Sequence, residues 1–261
     1  MIKEFFKPSS AQEALKLKKD QRRSFYLGGG TKLNNSGEDY NAETFISLEN
    51  MNLKGILKTG EKMKIGAVET LQHLIDSPEI PDFLKTAASG ESNRNIRNAS
   101  TIGGVIASGK SWSTVLVALM AMDAEVETAD EGILSVCDYV KDRKQSLILS
   151  VLVSLKDAKM YQNNQRKTAN SRPEIAVAAF IEKSGDGVAK ARLVLGGVSD
   201  QPIRLISVEN KLIDGSLSNA DAVQDSVMDE IAQYTEDCEN GTYLNYISGV
   251  MAADCVGRCM R

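Results

Sequence analysis

The 261 residues hold one histidine, one tryptophan, five prolines and four cysteines, and each scarcity removes a class of chemistry. The histidine, His73, lies in the helical pattern Glu69 to Ile75, where a lone imidazole serves the surface or the packing. A Ser-His-Asp triad or a histidine-built metal centre finds no further members in the chain. Cys137, Cys238, Cys255 and Cys259 do not cluster as an iron–sulfur centre requires; Cys255 and Cys259 stand a helical turn apart with no second pair nearby. A disulfide framework is equally unexpected in a chain of this size without a secretory leader. Met1 to Pro8 has no apolar h-region, so free thiols and a cytoplasmic protein are expected. No apolar run reaches the length of a membrane span. A net charge of −4 gives no reason to expect nucleic acid or an anionic lipid surface as partner. The G-x-G-x-x-G and Walker A spacings are both missing, which excludes the commonest nucleotide-binding loops. With 42% hydrophobic and 25% charged residues, the chain has the material for an ordinary globular core.

Glycine is placed more tellingly. Leu27, Gly28, Gly29, Gly30, Thr31, Lys32, Leu33 and Asn34 continue one apolar run, while Ser100, Thr101, Ile102, Gly103 and Gly104 open another. Glycine brings bare backbone N–H groups against an anion and reaches φ > 0 without steric cost. Two such stretches far apart in sequence suit a jaw closing on a long diphosphate, with Thr31, Ser100 and Thr101 adding hydroxyl donors for phosphate oxygens. Two tight turns are the other reading, and neither stretch by itself decides between them. Near the second stretch Arg94, Arg97 and Lys110 stand against one carboxylate, Glu91. That positive patch in an acidic chain suits an anionic ligand, with ordinary surface bases as the alternative, above all for Arg94 and Lys110.

Along the chain, Ser10 with Glu13 three residues later predicts a capped helix from Ala11 to about Arg23. Ser24 to Leu27 reads as a buried strand running into Gly28, and Thr44 to Leu48 as another, so the glycines fall at a strand's carboxyl end, where ligands favour α/β sheets. Lys62 to Ala67 alternates as a half-buried strand. Asp82 to Ala88 is helical with a stop near Gly90, Thr114 to Met122 is a strongly apolar helix, and Ala124 to Thr128 and Leu147 to Leu155 are strands. Met160 to Arg172 is polar and reads as a link. Glu174 to Ile181 and Val188 to Leu195 flank Ser184 to Gly187 as a hairpin, and the remainder from Leu205 is mostly helical. Between Gly215 and Arg261 there are eight acidic residues and two arginines, a solvated helical face or, in the minority reading, a docking surface for a basic partner.

The ordered set Phe6-Lys7-Pro8, Gly28-Gly29-Gly30-Thr31, Ile65-Gly66-Ala67, Ile96-Arg97-Asn98, Thr101-Ile102-Gly103-Gly104, Leu119 to Ala124 and Leu195-Gly196-Gly197-Val198 spans nearly the whole chain. It resembles the FAD-binding (medium) subunit of molybdenum hydroxylases, the family of xanthine dehydrogenase and carbon monoxide dehydrogenase. The resemblance implies an α+β fold. A vanillyl-alcohol-oxidase-like (PCMH-type) FAD-binding domain of two α/β subdomains, about 1–52 and 53–155, would precede a C-terminal domain at 156–261 with an antiparallel sheet and helices. It implies FAD as cofactor, its diphosphate under the two glycine stretches and the flavin between the lobes.

By the same resemblance Ile102 would lie near the flavin, and Leu149 would cover the ring, unless it is plain core packing. Lys167 would place a cation at the ring's edge, where it favours the reduced anionic flavin; a surface lysine is the other reading. The implied partners are a small [2Fe–2S] subunit and a large molybdenum-cofactor subunit, with electrons passing through FAD to NAD⁺ or another acceptor. No catalytic base and no metal ligand is expected in this chain. Two positions depart from the pattern: Ser111 stands where the family commonly carries aspartate, and Val105 where asparagine or aspartate is frequent. Trp112 beside Ser111 would pack at the cofactor mouth or cap the helix. The departures bear on ring contacts and on the electron acceptor. A flavin-free scaffold subunit and a stand-alone FAD oxidoreductase are the alternatives, the latter lacking a candidate substrate base.

Overall fold

A computed structural model describes residues 2–33, 41–142, 144–155, 158–168, 171–185, 187–217, 219–238 and 240–261. In chain order the elements are β1 (Glu4–Phe6), α1 (Ala11–Asp20), β2 (Ser24–Leu27), β3 (Thr44–Ser47), β4 (Ile56–Thr59), β5 (Lys62–Gly66), α2 (Leu71–Asp76), α3 (Asp82–Glu91), α4 (Arg94–Arg97), α5 (Ile102–Ser108) and α6 (Thr114–Ala121). There follow β6 (Glu125–Thr128), β7 (Gly132–Ser135), α7 (Val136–Lys141), β8 (Ile148–Ser154), β9 (Lys159–Arg166), β10 (Pro173–Ser184), β11 (Gly187–Gly196), β12 (Ile203–Arg204), α8 (Ile206–Ile213), α9 (Ala220–Thr235) and α10 (Gly241–Met260). They form two compact units. One comprises Met1–Ile80, Asn93–Ser108 and Asp123–Ser154; the other comprises Pro81–Ser92, Gly109–Met122 and Leu155–Arg261. Among the described residues no helix is long and apolar enough to cross a membrane.

The first unit carries a parallel sheet in the order β1-β3-β2 and an antiparallel one in the order β4-β5-β8-β6-β7. Helix α1 starts where expected, because Ser10 Oγ accepts from Glu13 N–H at 3.2 Å. The Glu13 carboxylate reaches back to Ser9 N–H at 2.9 Å, one residue before the usual box partner. The helix ends at Asp20 rather than Arg23, since Arg23 is in the left-handed region (φ 47°). The chain then turns sharply into β2, clipped to the helix by Lys18 Nζ donating to Ser24 C=O and Ser24 Oγ donating to Lys18 C=O. A small core of Ala14, Ile46, Leu48, Val68 and Leu147, with Tyr26 and Leu149 packed against it, joins helix and strands.

The second unit is built on an antiparallel sheet in the order β12-β11-β10-β9. Its central strand is buried from Ile175 to Ile181 without a break, so both faces are covered. Ile175, Val177, Ala179, Ile181, Leu193 and Leu195 share one core cluster with the apolar sides of α8, α9 and α10. Helix α6 also packs on β10 and β11. Every residue of α6 is buried, as its unbroken apolar sequence requires. Ser113, not Trp112, caps it, accepting from Leu116 N–H at 3.1 Å. The buried Glu91 carboxylate completes this end, accepting from Ser113 Oγ (2.8 Å), Thr114 Oγ1 (3.1 Å) and Val115 N–H (3.1 Å). Helix α3 therefore runs through Gly90 to Glu91 instead of stopping at the glycine.

The polar stretch read as a link is largely strand: β9 pairs with β10 from Lys159–Ile181 to Arg166–Pro173. Tertiary pairing and α10 packed alongside override the weak strand propensity of Gln162, Asn163, Asn164 and Gln165. The hairpin of β10 and β11 is as expected, with Asp186 of its turn outside the described residues.

Candidate functional site

The two glycine stretches lie in the same unit and meet. Strand β2 ends at Leu27, and Gly28 follows directly at the carboxyl end of the parallel sheet. A Cβ on Gly29 would fall 1.6 Å from the Ala99 carbonyl oxygen, so only glycine permits this approach of backbone to backbone. A Cβ on Gly28 would lie 2.9 Å from Thr101 Oγ1, and Ser100 Oγ donates to Thr31 Oγ1 at 3.0 Å. Thus Gly28 to Thr31 and Ala99 to Thr101 form one surface. Asn34, expected to extend it, lies outside the described residues.

The two halves of that surface differ in what they offer. In the first, the N–H groups of Gly28, Gly29 and Gly30 make no hydrogen bond with any described residue, and Gly28 and Gly29 are exposed. Free amides without side chains are what an anion-binding turn consists of. In the second, four of the five amides are spent inside the fold: Ser100 N–H donates to Ile96 C=O at 2.8 Å, while Thr101 N–H makes no hydrogen bond with any described residue. Ile102 N–H donates to Glu69 C=O and Gly103 N–H to Ala67 C=O, both at 2.9 Å. Gly104 N–H donates to Thr101 Oγ1 at 3.1 Å, which makes Thr101 the cap of α5. The second stretch therefore offers the exposed backbone of Gly104 and the unbonded Thr101 N–H, beside the hydroxyls of Ser100 and Thr101, both of which are buried residues.

The remaining residues fall as follows. Leu27, Lys32 and Leu33 are half-buried beside the first stretch. Ile102 is fully buried, its side chain part of the core and without surface for a ligand. Leu149 is half-buried, packs near Tyr26, and its C=O accepts from Ala67 N–H at 3.0 Å, which ties β8 to the segment under the second stretch. Burial, and after it the charge of Asp130, pushes the Tyr26 phenol up to about 12, so it stays neutral. Burial also lowers the pKa of the Lys18 amine, which lies 5.6 Å from the Tyr26 ring centroid. Lys167 belongs to the other unit, where it is exposed and paired with Glu174 at 3.1 Å. Ser111 and Trp112 are in that unit too, with the Arg172 guanidinium 5.8 Å from the Trp112 ring. Arg97 Nε donates to Gln72 Oε1 at 3.1 Å. Among the described residues no three His, Cys, Asp or Glu side chains gather to hold a metal ion.

Sequence reasoning missed Glu69 and Leu71, and singled out Ala67 only within a motif without its role; these residues hold the second stretch through their backbone. The one local signal was Thr70, whose Oγ1 caps α2 by accepting from His73 N–H at 3.2 Å.

By fold the chain is an α+β flavoprotein, and its cofactor is FAD. Residues 1–155 match the FAD binding domain in molybdopterin dehydrogenase, and the chain belongs to that family. It is 32% identical over 265 residues to YgfM of Escherichia coli K12, a protein itself described as uncharacterized, covering 100% of this chain and 98% of that one. It is 25% identical over 244 residues to the glyceraldehyde dehydrogenase medium chain of Sulfolobus acidocaldarius, covering 85% of this chain and 84% of that one. Among solved structures, a chain of carbon monoxide dehydrogenase from Hydrogenophaga pseudoflava has the same fold, with a TM-score of 0.83 at 21% identity over 99% of this chain and 97% of that one.

The residues present fit the cofactor: at a strand end the N–H groups of Gly28, Gly29 and Gly30 make no hydrogen bond with any described residue, and the hydroxyls of Thr31, Ser100 and Thr101 lie beside them.

Proposed function

We propose that this chain is the FAD-carrying, electron-transferring subunit of a multisubunit molybdenum hydroxylase. It works with a small [2Fe–2S] subunit and a large molybdenum-cofactor subunit, and the electrons leave to NAD⁺ or another acceptor. Bound FAD supplies the redox centre. The chain's own residues bind and orient it: the N–H groups of Gly28, Gly29 and Gly30 hold the diphosphate, and the Thr31, Ser100 and Thr101 hydroxyls fix its oxygens. Leu27, Leu33 and Leu149 supply apolar surface, and Lys32 a cation. Ile102, fully buried, acts by anchoring α5 rather than by touching the ring. Lys167, expected at the ring edge, is exposed and paired with Glu174 in the other unit.

The observation that carries the reading is the set of glycine amides without a hydrogen bond to any described residue, next to a second, hydroxyl-bearing stretch packed so close that only glycine fits. The medium-chain name of the Sulfolobus relative supports a role within a larger enzyme. The test is anaerobic mixing of the FAD-loaded chain with its reduced [2Fe–2S] subunit. The flavin's visible band is expected to bleach with the iron–sulfur donor and to stay unchanged with an organic substrate alone. Bleaching by an organic substrate without partners would assign a stand-alone FAD oxidoreductase instead.

A further inference from the structure

The second glycine stretch rests on a segment that is not itself part of the cradle. Ala67 C=O accepts from Gly103 N–H, Glu69 C=O accepts from Ile102 N–H, and Leu71 N–H donates to Ser100 C=O, each at 2.9 Å. These three rungs fix Ser100 to Gly103 on residues 67–71, so the height of Ser100 and Thr101 over Gly28 and Gly29 follows the placement of that bed. The bed is held in turn by backbone bonds from Ala67 N–H to Leu149 C=O and from Val68 N–H to Leu53 C=O, and by one buried side chain. Glu69 is 3% exposed, and its carboxylate accepts from Gly55 N–H at 2.6 Å and meets His73 Nδ1 at 2.5 Å. A carboxylate oxygen only accepts, so Nδ1 carries the proton of this bond. The His73 side chain is 57% exposed and, among the described residues, its ring bonds Glu69 alone. It adds little to the core, yet without it one oxygen of a buried carboxylate loses its donor, and such a loss is costly.

We propose that His73 and Glu69 form a brace that positions the second glycine stretch and through it sets the grip on FAD; the second half of this statement rests on the FAD-cradle reading above. His73 is here a positioning residue, acting on the stretch it serves through the buried carboxylate of Glu69, four residues before it.

Amide hydrogen exchange on the flavin-free chain tests the first half. In His73→Leu, exchange at Ile102 and Gly103 is expected to rise about tenfold, as loss of one hydrogen bond to a charged group allows, while amides of β10 and β11 keep their wild-type rates. His73→Asn, which keeps an N–H donor near the Nδ1 position, restores protection. Should the leucine variant fail to fold, His73→Gln, whose donor sits nearer the outer ring nitrogen, supplies the same contrast with His73→Asn. Flavin-fluorescence titration tests the second half: the FAD Kd is expected to rise about tenfold in His73→Leu and to recover in His73→Asn. Wild-type exchange at Ile102 and Gly103 in the donor-less variant overturns the brace, whatever FAD does. Altered exchange with an unaltered FAD Kd overturns the link from brace to cofactor. A wild-type chain that takes up no FAD, alone or assembled with its partner subunits, overturns the cradle reading, and the exchange rates then decide on the brace by themselves.

Discussion

Replacing Gly29 by valine is expected to abolish FAD retention. The new Cβ would fall 1.6 Å from the Ala99 carbonyl oxygen and 2.6 Å from its carbon, and no rotamer relieves an overlap with backbone. One of the two stretches must move, which pulls the Gly28–Gly30 amides away from the Ser100 and Thr101 hydroxyls. A forced backbone displacement of this kind costs about 3 kcal/mol or more, so FAD affinity should fall by about 100-fold or more. Gly28→Ala is the informative neighbour, because its Cβ meets only the Thr101 side chain, at 2.9 Å, and that side chain can give at the cost of its cap on Gly104 N–H rather than by moving backbone. It should weaken FAD far less than Gly29→Val. The only tryptophan, Trp112, belongs to the other unit, so its fluorescence reports whether that unit stays folded. An unchanged Trp112 unfolding transition beside lost FAD binding locates the damage in the unit that carries the cradle. Comparable FAD affinity in Gly29→Val and Gly28→Ala would remove the close approach from the account of binding.

Gly197→Val should have the largest effect on stability. Gly197 has φ +105°, and a Cβ there would fall 1.9 Å from the Glu174 carbonyl oxygen and 3.1 Å from Ile175 Cα, at the point where β11 leaves the sheet beside the start of β10. Strain and overlap add, and a loss of about 4 kcal/mol or more is expected, enough to remove much of a domain's stability. Gly215 separates the two causes: its φ is +79° with nothing within 4 Å, so Gly215→Ala tests backbone strain alone and should cost about 1 kcal/mol. Urea unfolding followed by Trp112 fluorescence reads both variants. Equal shifts for the two would mean that overlap at Glu174 contributes nothing. Gly196, next in the same motif, is packed as closely, since its Cβ would lie 2.0 Å from the Ser111 carbonyl oxygen. The Leu195 to Val198 motif thus serves the second unit's own construction, bringing β11 against β10 and the Ser111 turn.

What could be read from sequence was what local chemistry decides. Ser10 with Glu13 marked a helix start, the apolar run Ser24 to Leu27 marked a strand running into Gly28, and paired glycines marked an anion's approach to backbone without saying which backbone they meet in the fold. That Gly29 meets Ala99 was out of reach, because the contact joins residues from two distant stretches and Ala99 has no distinguishing side chain. The same limit hid the fate of the Ile102 and Gly103 amides. Their acceptors, Glu69 and Ala67, act through carbonyl groups that every residue carries. Strand β9 was missed for another reason: its asparagines and glutamines have weak strand propensity, and only the ladder with β10 defines it. Glu91 shows the limit at its clearest. In sequence it is an acid just past a helix glycine; in the structure its buried carboxylate holds the start of α6 by three bonds.

The most direct test of the account is the flavin content of the purified chain after incubation with FAD and gel filtration, read from the visible spectrum and from chromatography of the released cofactor. One FAD per chain, lost in Gly29→Val, is the expected result. A folded chain that takes up no FAD, alone or assembled with its iron–sulfur and molybdenum subunits, would contradict it.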